Sequence, residues 1–508
     1  MRIAAFDLGT NSFHLLVVDA HPDGTFVPLV REKEMLRLGD EVSRSGRVGE
    51  AAANRAVTTL RRFRTLAEGA GSEEIVVCAT SAIREAENGG ELVDRIESEA
   101  GIRVSVISGL DEARLIFGAV RASVVIDPGP ALCLDLGGGS LEIMVGDATG
   151  LRWSSSVKLG VARLSAELVG NDPPSADDVR RLRERITSVL APLADEVAPL
   201  HPTMAVGTSG TFVALARMIA ARRPGGIPVS VNQLRFSSDE FLAVHEQVMR
   251  LRANERAKLP GLDARRADII PAGSLLLATA MELFGFDHLT VSEWALREGM
   301  VLDAIGRHDD ADWSGDPRAI RRSSVLRLAR DCNWDEGHSR QVARLALSLF
   351  DQTFPLHDLT PADREFLEHA SLLHDIGEHV ATESHHKHTA YLVQHGRLRG
   401  FSPEDVGELA TLARYHRGGD PRPSHEPFAS LRPERRDSVA RMAALLRVAD
   451  GLDRGRVAAV GDIEVVLDGS RIRVNVAGGD IDVDLWGGRR KRELFERVFD
   501  RRLEVVRA

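Results

Sequence analysis

Two copies of one short turn carry the residue types that could bind phosphate. Each copy combines an aspartate with glycines and with hydroxyl or amide side chains: Phe6-Asp7-Leu8-Gly9-Thr10-Asn11-Ser12 and Leu134-Asp135-Leu136-Gly137-Gly138-Gly139-Ser140. Glycine lets the backbone approach an anion closely, and the polar side chains add hydrogen-bond donors. The aspartates could hold a metal ion or a water beside the phosphate. The phosphate-binding residues predicted in these turns are Gly9, Thr10, Asn11, Ser12, Gly137, Gly138, Gly139 and Ser140.

A third loop of similar character follows a short apolar run later in the chain. Residues 204–206 are apolar, and residues 212–221 have a helical pattern. The backbone N–H groups at the start of such a helix would point at an anion held by the loop. The phosphate-binding residues predicted here are Gly207, Thr208, Ser209, Gly210 and Thr211.

Apolar runs beside the first two turns identify the elements that must position them. Residues 3–6 and 13–18 flank the first turn, and residues 132–134 and 143–145 flank the second. Each turn is therefore predicted to be the bend of a β-hairpin, and two such bends could face each other across a cleft. Strand and helix patterns alternate around them, which predicts one α/β domain at 1–125 and another at 126–305.

The second part of the chain has a different pattern. A polar segment with Gly and Pro at 308–317 predicts a linker. Residues 318–455 are helical in pattern and rich in histidine, and residues 456–508 predict a small β-meander followed by a helix. That helix would have a basic face, for which solvation is favoured over polyanion binding. Its apolar residues at helical spacing are Leu494, Phe495, Val498, Phe499 and Leu503.

Composition bounds the class of protein. The chain has 508 residues, 43% of them hydrophobic, and a net charge of -10. This charge argues against a protein that coats nucleic acid, and the absence of a long apolar run argues against a membrane span. Met1-Arg2-Ile3 leads directly into the first predicted strand, so we expect no signal peptide and a cytoplasmic location. Three cysteines in unrelated contexts suggest packed thiols rather than disulfides.

Several motifs, taken in order, identify a family resemblance. Between the first two turns, Ile107-Ser108-Gly109-Leu110-Asp111-Glu112-Ala113-Arg114-Leu115-Ile116-Phe117 opens a helix with an acidic pair, which by itself favours helix capping. Together with both aspartate turns, the loop at Gly207 and three further strings, this segment resembles the exopolyphosphatase and guanosine pentaphosphate phosphohydrolase (Ppx/GppA) family over residues 1–305. The further strings are Thr80-Ser81-Ala82 with Arg84, Lys158-Leu159-Gly160-Val161-Ala162-Arg163-Leu164 and Leu296-Arg297-Glu298-Gly299.

The resemblance implies a fold and a set of roles. It implies an actin-like (ribonuclease H-like) duplicated α/β fold with phosphate bound between the halves. The family's catalytic base matches Glu112, its other acidic site residues match Asp135 and Glu142, and a phosphate-holding arginine matches Arg84. Asp135 and Glu142 would hold Mg²⁺, directly or through water. The alternative for Glu142 is a hairpin residue that faces solvent.

The histidine-rich segment carries a second possible ligand set. His338, the dyad His374-Asp375 and Asp450 occur in the order that resembles the HD superfamily of metal-dependent phosphohydrolases, which implies an all-α HD-type domain. Two further histidines, such as His386 and His416, could bind a second divalent metal. A second hydrolase site and a supporting role, in a polyphosphate channel or a dimer contact, remain equal alternatives for this domain.

The leading hypothesis is an Mg²⁺-dependent exopolyphosphatase, and the alternative is a hydrolase of guanosine pentaphosphate (pppGpp). Both substrates end in a phosphoanhydride, so the shared loops do not separate them. An actin-like kinase or ATPase is disfavoured by the Glu112 segment, and a non-catalytic sensor is disfavoured by the three acidic residues. The resemblance also implies a homodimer. His14 follows the first turn where an arginine is expected, so its phosphate contact is left open.

Overall fold

The chain divides into two compact units, Met1–Ile320 and Arg321–Ala508. This computed structural model describes residues 1–21, 25–168, 170–308 and 317–508. Most of the predicted linker, residues 309–316, lies outside the described residues. Among the helices that are described, none is long and apolar enough to cross a membrane.

The first half of unit 1 is a sheet covered on both faces. Strand β1 forms an antiparallel pair with β2 and a parallel pair with β4, in the order β3-β2-β1-β4-β5. Its elements are β1 Arg2–Leu8, β2 Ser12–Ala20, β3 Phe26–Met35, α1 Leu38–Ser45, α2 Glu50–Gly69, β4 Glu74–Ala79, α3 Ser81–Glu85, α4 Gly89–Ala100, β5 Ser105–Val106 and α5 Gly109–Arg121. Phe6 packs beside Phe63 of α2, while Ile3 and Ala5 pack on the opposite face with Phe117. Burial of both faces explains why β1 is apolar almost throughout.

The second half repeats this arrangement. Its sheet has the order β10-β11-β9-β6-β7-β8, in which β8-β7-β6-β9-β11 corresponds to β3-β2-β1-β4-β5. Its elements are β6 Ala131–Leu136, β7 Leu141–Asp147, β8 Gly150–Val157, α6 Val161–Leu168, α7 Ala176–Val197, a 3₁₀ turn Ala198–Leu200, β9 Met204–Thr208, α8 Ser209–Ala220, β10 Arg235–Ser237, α9 Ser238–Arg250, α10 Ala253–Arg256, a 3₁₀ turn Ala264–Arg266, α11 Ile270–Phe284, β11 His288–Val291 and α12 Leu296–His308. The predicted duplicated α/β fold is confirmed.

Helix α12 departs from the predicted domain division. The sequence grouped residues up to 305 with the second domain, but Val301 and Ile305 pack in the cluster that contains Ile3 and Ala5 of β1. A Cβ on Gly299 would lie 2.1 Å from the backbone oxygen of Leu115, so α12 approaches α5 too closely for any other residue. The last helix of unit 1 therefore returns to the first sheet and connects the two halves.

Unit 2 is a helical bundle that carries a small sheet. Its elements are α13 Pro317–Asp331, α14 Glu336–Gln352, a 3₁₀ turn Phe354–Leu356, α15 Pro361–Leu373, a 3₁₀ turn Ile376–His379, α16 His385–His395, α17 Pro403–Arg414, α18 Glu426–Ala429, α19 Pro433–Gly451, β12 Val460–Asp468, β13 Arg471–Gly478, α20 Asp482–Arg490, α21 Arg492–Phe499 and β14 Arg502–Arg507. Val342 of α14 and Val474 of β13 belong to one buried cluster. The segment predicted as a separate domain at 456–508 thus shares its core with the helices.

The order of elements at the C-terminus differs from the predicted meander. β12 and β13 form an antiparallel hairpin, but the chain then forms α20 and α21 before it returns as β14, parallel to β13. The predicted amphipathic helix ends at Phe499, and Leu503 lies in β14 with its side chain buried. A strand that alternates apolar residues with charged ones after a short turn resembles a continuing helix over so few residues.

Candidate active site

The two aspartate turns of unit 1 face each other, as the sequence suggested. A Cβ on Gly138 would lie 2.8 Å from the Asn11 side chain, and one on Gly139 would lie 2.7 Å from Oγ1 of Thr10 and 2.4 Å from Oγ of Ser81. Any side chain at these two glycines would therefore push the turns apart. The first turn is fixed from behind, because the Asn11 carbonyl accepts hydrogen bonds from the backbone N–H groups of Leu36 (3.0 Å) and Arg37 (2.9 Å).

The remaining turn residues close the bends. The Gly137 N–H donates to the Ser140 carbonyl at 3.1 Å, which closes the second turn. A Cβ on Gly9 would lie 3.0 Å from the carbonyl oxygen of Ser12, so the first turn is equally tight. The Thr10, Ser12 and Ser140 side chains are buried in this region. The predicted glycine-rich bends therefore converge on one cleft within unit 1.

The third loop lies beside the second turn. Asp135 pairs with Thr208 in the parallel β6–β9 register, and the Ser209 hydroxyl donates to the Leu136 carbonyl at 2.7 Å. The Thr208 hydroxyl donates to the Trp294 carbonyl at 2.7 Å. Because both hydroxyl protons are engaged, Thr208 and Ser209 would offer their backbone N–H groups to phosphate rather than their side chains. Gly207 is paired within the sheet, and Thr211 is buried in α8.

Ser209 has a backbone conformation that L-residues rarely adopt. Its φ is 80°, in the left-handed region, at the point where β9 turns into α8. Strain of this kind costs about 1–3 kcal/mol and is concentrated at functional sites, where the surroundings hold it in place. Here the bond from Ser209 to Leu136 helps to hold the N-terminus of α8 against the second turn.

Four carboxyl groups are gathered behind the turns. Asp135 and Glu142 are directly opposite each other on β6 and β7, and Glu142 is fully buried. Burial, with the charges of Glu112 and Asp7, raises the pKa of Asp135 to about 8, and burial with Asp135 raises that of Glu142 to about 8. Burial also raises the pKa of Asp7 to about 6. The alternative of a solvent-facing Glu142 does not hold in this structure.

These carboxylates fit a divalent cation. Oδ1 of Asp135 and Oε2 of Glu142 are buried and have no hydrogen-bond partner among the described residues. The other Glu142 oxygen accepts a hydrogen bond from the Ser156 hydroxyl at 2.7 Å. Two unpartnered, buried carboxylate oxygens on opposite residues of a strand pair are a hard, oxygen-only donor set of the kind that Mg²⁺ takes. An ion there would also offset the repulsion that raises the pKa values of these groups.

The two acidic residues at the start of α5 have different roles. The Ser108 hydroxyl accepts from the Asp111 N–H at 3.1 Å and donates to the Asp111 carboxylate at 2.6 Å, so Asp111 completes the helix cap at the surface. Glu112 is buried, and Arg84 donates to its Oε2 at 3.2 Å. Burial first, and then the Glu142 charge, raises the pKa of Glu112 well above its ordinary value. Helix capping thus accounts for the position of Asp111, whereas the Glu112 side chain points into the interior.

The structure also answers the question left open for His14. Arg297, which can only donate, lies 3.2 Å from Nδ1 of His14, so Nδ1 accepts and Nε2 carries the proton. Nε2 then donates to the Ser12 hydroxyl at 2.8 Å. Burial and the Arg297 charge hold the pKa of His14 well below its usual value, so the ring stays neutral. His14 therefore orients Ser12 so that its hydroxyl proton is available to a ligand.

Several cations of this cleft were not among the predicted site residues, although Arg163 lies in one of the strings that carry the family resemblance. Arg163 donates to the Gly139 carbonyl at 3.1 Å and to Glu85 at 2.9 Å. A Cβ on Gly210 would lie 1.9 Å from the Arg266 guanidinium, so Arg266 covers the third loop. Burial and the nearby Arg266 lower the pKa of Lys33 to about 8. Arg266 precedes a long apolar helix in sequence, and no local pattern indicates that it reaches a loop more than 50 residues earlier.

Unit 2 brings all four predicted metal ligands together. His338, His374 and Asp450 form one group, in which the two Nε2 atoms are 3.3 Å apart and Asp450 Oδ1 lies 3.8 Å from the first and 4.0 Å from the second. Asp375, His385 and His416 form another, in which Asp375 Oδ1 lies 3.1 Å from His385 Nε2 and 3.4 Å from His416 Nε2. The prediction of His416 as a second-metal ligand agrees with this geometry, but its companion is His385 and not His386.

The motif after the dyad explains why His385 reaches the group. A Cβ on Gly377 would lie 2.1 Å from the His385 carbonyl and 2.5 Å from the Thr389 nitrogen, so only glycine lets α16 pack this closely. The Thr389 hydroxyl accepts from the Gly377 N–H and donates to the His374 carbonyl at 2.8 Å. His385 is the first residue of α16 and points inward, whereas His386 points toward Gly418.

Comparison with known proteins places both units in one family. The family model described as Ppx/GppA phosphatase family matches residues 17–308, and that described as Ppx/GppA phosphatase, domain III, matches residues 320–476. Exopolyphosphatase 1 of Mycobacterium leprae is 35% identical over 64% of this chain and 94% of its own length. A guanosine-5'-triphosphate,3'-diphosphate pyrophosphatase of Vibrio vulnificus is 28% identical over 82% of this chain and 80% of its own.

Solved structures agree over the first unit. An exopolyphosphatase from Cytophaga hutchinsonii has 32% sequence identity and a TM-score of 0.58, and covers 60% of this chain and 98% of its own. The Ppx/GppA family member from Aquifex aeolicus has 28% identity and a TM-score of 0.53, and covers 61% of this chain and 98% of its own.

Proposed function

This chain belongs to the Ppx/GppA phosphatase family, and on that basis we propose that its first unit is an exopolyphosphatase, which hydrolyses the terminal phosphoanhydride bond of inorganic polyphosphate. One observation carries the proposal. A buried acid, Glu112, is close enough to the opposed pair Asp135 and Glu142 for their charges to interact, and the group lies beside two turns whose glycines let the turns approach each other closely. Relatives named exopolyphosphatase support the choice of substrate.

The reaction needs an oriented water, a proton acceptor and stabilisation of the transferring phosphoryl group. The water oxygen bonds to the terminal phosphorus, and the bond from that phosphorus to the bridging oxygen breaks, which leaves the bridging oxygen on the shortened chain. Glu112 accepts the proton that the water loses. A base works best when its pKa is near the working pH, and burial moves Glu112 in that direction.

The other groups hold the phosphoryl oxygens. The backbone N–H groups of the two turns and of the α8 N-terminus, with the Ser12 hydroxyl, provide fixed donors around the phosphate. Asp135 and Glu142 would hold Mg²⁺, which offsets negative charge on the phosphoryl oxygens when bound. Arg84 is tied to Glu112 and to the Ile107 carbonyl at 2.7 Å, so it would position the base as well as contact phosphate.

The second candidate is hydrolysis of the terminal 5'-phosphate of pppGpp. It is favoured by the length of the match to the Vibrio vulnificus pyrophosphatase, which extends over 419 residues. Both reactions use the same end group and the same residues, so they differ only in what the rest of the substrate contacts. The choice between them is a matter of measured specificity.

The experiment is a comparison of kcat/KM for long-chain polyphosphate, pppGpp and ATP with the full chain and Mg²⁺. We expect polyphosphate to have the highest value, with each reaction lost in Asp135→Asn. A higher value for pppGpp would establish the second candidate, and a higher value for ATP would contradict both. Omission of Mg²⁺, or replacement by Ca²⁺, should abolish release of orthophosphate.

We further propose a cytoplasmic homodimer. The location is supported by the three cysteines, Cys78, Cys133 and Cys332, all of which are buried thiols without a disulfide. The dimer rests on the family resemblance, and light scattering should give twice the mass of one chain.

A further inference from the structure

We propose that Glu85 is a positioning residue for phosphoanhydride hydrolysis in the cleft of unit 1. Its carboxylate joins helix α3, in the first half of the unit, to Arg163 of helix α6, in the second half. Through Arg163 this link fixes the second turn in the orientation that offers its N–H groups to phosphate. The inference rests on the proposed function, because it concerns the same cleft, and it assigns to Glu85 no contact with the substrate.

The carbonyl groups of the second turn point toward the N-terminus of α6. The three glycine carbonyls of residues 137–139 accept hydrogen bonds of 3.0–3.3 Å from the backbone N–H groups of residues 160–163. In a trans peptide unit the carbonyl and the N–H group point in opposite directions. The N–H groups of Gly138, Gly139 and Ser140 therefore point away from α6. Three successive N–H groups on one side of a turn form a binding site for an anion.

Helix α6 approaches the second turn so closely that position 160 requires glycine. A Cβ on Gly160 would lie 2.3 Å from backbone atoms of Gly138 and Gly139. Arg163, in the first turn of α6, adds a bond from its Nε to the Gly139 carbonyl at 3.1 Å. That carbonyl belongs to the same peptide unit as the Ser140 N–H group, so the Arg163 guanidinium fixes the direction of this N–H group.

Glu85 holds Arg163 from the first half of the unit. Its Oε2 accepts from Nη2 of Arg163 at 2.9 Å and from Nζ of Lys158 at 2.8 Å, and its Oε1 accepts from the Ser81 hydroxyl at 2.6 Å. Burial opposes the charge of Glu85, but the bonds from Lys158 and Ser81 and the Arg163 charge hold the pKa of its carboxyl below the usual value. Only 16% of the Glu85 side chain and 15% of the Arg163 side chain are exposed, so water screens their attraction less than at the open surface.

Helix α3 also contacts the proposed base. Arg84 precedes Glu85 in this helix and donates to Oε2 of Glu112 at 3.2 Å. At the other end of α3, Ser81 lies against the second turn, because a Cβ on Gly139 would be 2.4 Å from its Oγ. The link from α3 to α6 thus joins two parts of the site, the arginine beside the base and the turn that binds phosphate. A shift of α3 relative to α6 would change the distance between them.

Another ion pair between the two halves serves as a comparison. Nη1 of Arg37 lies 3.1 Å from Oδ2 of Asp268, but 45% and 48% of these side chains are exposed. The Arg37 guanidinium also donates to the Arg265 carbonyl and lies 4.0 Å from Asp40, and none of these groups belongs to either turn. Exposed pairs of this kind contribute little to stability. Replacement of Asp268 therefore tests whether the loss of any link between the halves affects the reaction.

Removal of the Glu85 carboxylate should act on the chemical step. In Glu85→Ala the Arg163 guanidinium loses its bond to α3, so the Ser140 N–H group is no longer held where negative charge develops on the phosphoryl group. We expect kcat to fall about 10- to 100-fold, since a displacement of about 1 Å in a catalytic site costs up to about 100-fold. A long polyphosphate chain also binds through groups that Glu85 does not contact, so KM should stay within about threefold.

The test measures kcat and KM for orthophosphate release with full-length Glu85→Ala, Arg163→Ala, the double variant and Asp268→Ala, the matched control. The substrate is whichever of long-chain polyphosphate and pppGpp the unchanged chain hydrolyses with the higher kcat/KM. Because Glu85 acts through Arg163, the double variant should match Arg163→Ala alone within about twofold in kcat. Asp268→Ala should stay within about twofold of the unchanged chain.

Thermal melts of each variant separate this role from a merely structural one. If Glu85→Ala does not fold, Glu85→Gln keeps the shape of the side chain without its charge and should lose about 3- to 10-fold in kcat.

Four outcomes would overturn the inference while the proposed function stands. These are a lower thermal midpoint with unchanged kcat in the Glu85 variant, a loss that falls on KM alone, independent losses that multiply in the double variant, and an equal loss of kcat in Asp268→Ala. Failure of the unchanged chain to hydrolyse either substrate would instead overturn the proposed function, and this inference with it.

Discussion

Replacement of Glu112 by glutamine removes the proposed base and leaves the shape of the cleft unchanged. The amide oxygen can still accept from Arg84, which keeps its second bond to the Ile107 carbonyl, so the substrate-binding groups stay in place. We therefore expect the effect to fall on kcat, with KM within about threefold of the starting protein.

The size of the expected loss in kcat follows from the role of Glu112 as general base. General-base catalysis contributes about 10²–10⁴-fold, which corresponds to about 3–5 kcal/mol of transition-state stabilisation. Because burial opposes the charge of Glu112, the neutral glutamine should not lower the thermal midpoint. The variant is expected to be inactive and fully folded.

The assay is orthophosphate release from long-chain polyphosphate with Mg²⁺, and Asp111→Asn is the matched control. Asp111 is the adjacent acid, lies at the surface and only caps α5, so its replacement should leave kcat within about twofold. Equal losses in the two variants, or a Glu112→Gln protein with more than a tenth of normal kcat, would refute the assignment of Glu112 as base.

Three further predictions concern the cleft. The pKa values of about 8 for Asp135 and Glu142 mean that the folded apo-protein holds protons that the unfolded chain releases near pH 4, so its stability should fall as pH rises from 4 to 8. Mg²⁺ replaces those protons, so its stabilising effect in thermal melts should be larger at pH 8.5 than at pH 6, and an equal effect at both would contradict this reasoning. Ser12→Ala should raise KM for polyphosphate about 10- to 150-fold, since a hydrogen bond to a charged group contributes about 1.5–3 kcal/mol, and an unchanged KM would show that the hydroxyl does not contact substrate. Gly139→Ala should abolish activity and lower stability by about 1–3 kcal/mol because its Cβ would meet Ser81 and Thr10, while Gly90→Ala, in open space, should do neither.

Much of unit 1 was predictable because its signals are local. Each turn lies between apolar strands, and the strands are buried on both faces, so the hairpins and the duplicated sheets could be read from residues close together in sequence. The different roles of Asp111 and Glu112 could also be predicted locally. Asp111 lies three residues after the N-cap Ser108, which is the position where an acid completes a helix cap.

Contacts between segments that are far apart in the sequence could not be predicted. Arg266 and Lys33 lie in loops and strand positions whose local patterns are ordinary, and only the folded chain brings them to the phosphate loops. The return of α12 to the first sheet is likewise a tertiary contact, visible in sequence only as an unexplained glycine at Gly299.

In unit 2 the sequence did not determine which histidines of a helix point into the interior. Neighbouring residues on a helix point about 100° apart, so the choice between His385 and His386 depends on where α16 begins, and helix boundaries are hard to predict from sequence. The small sheet was wrongly predicted as a meander, because β14 pairs with β13 although two helices lie between them in sequence. The HD-type assignment of residues 318–455 stays a prediction.

The most direct test is to ask which unit carries the polyphosphate activity. Orthophosphate release from polyphosphate should be measured for full-length Asp135→Asn and Asp375→Asn at saturating Mg²⁺. We expect Asp135→Asn to lose at least about 100-fold in kcat/KM and Asp375→Asn to stay within about twofold of the unchanged protein. Loss of activity in Asp375→Asn with full activity in Asp135→Asn would contradict the placement of the exopolyphosphatase site in unit 1.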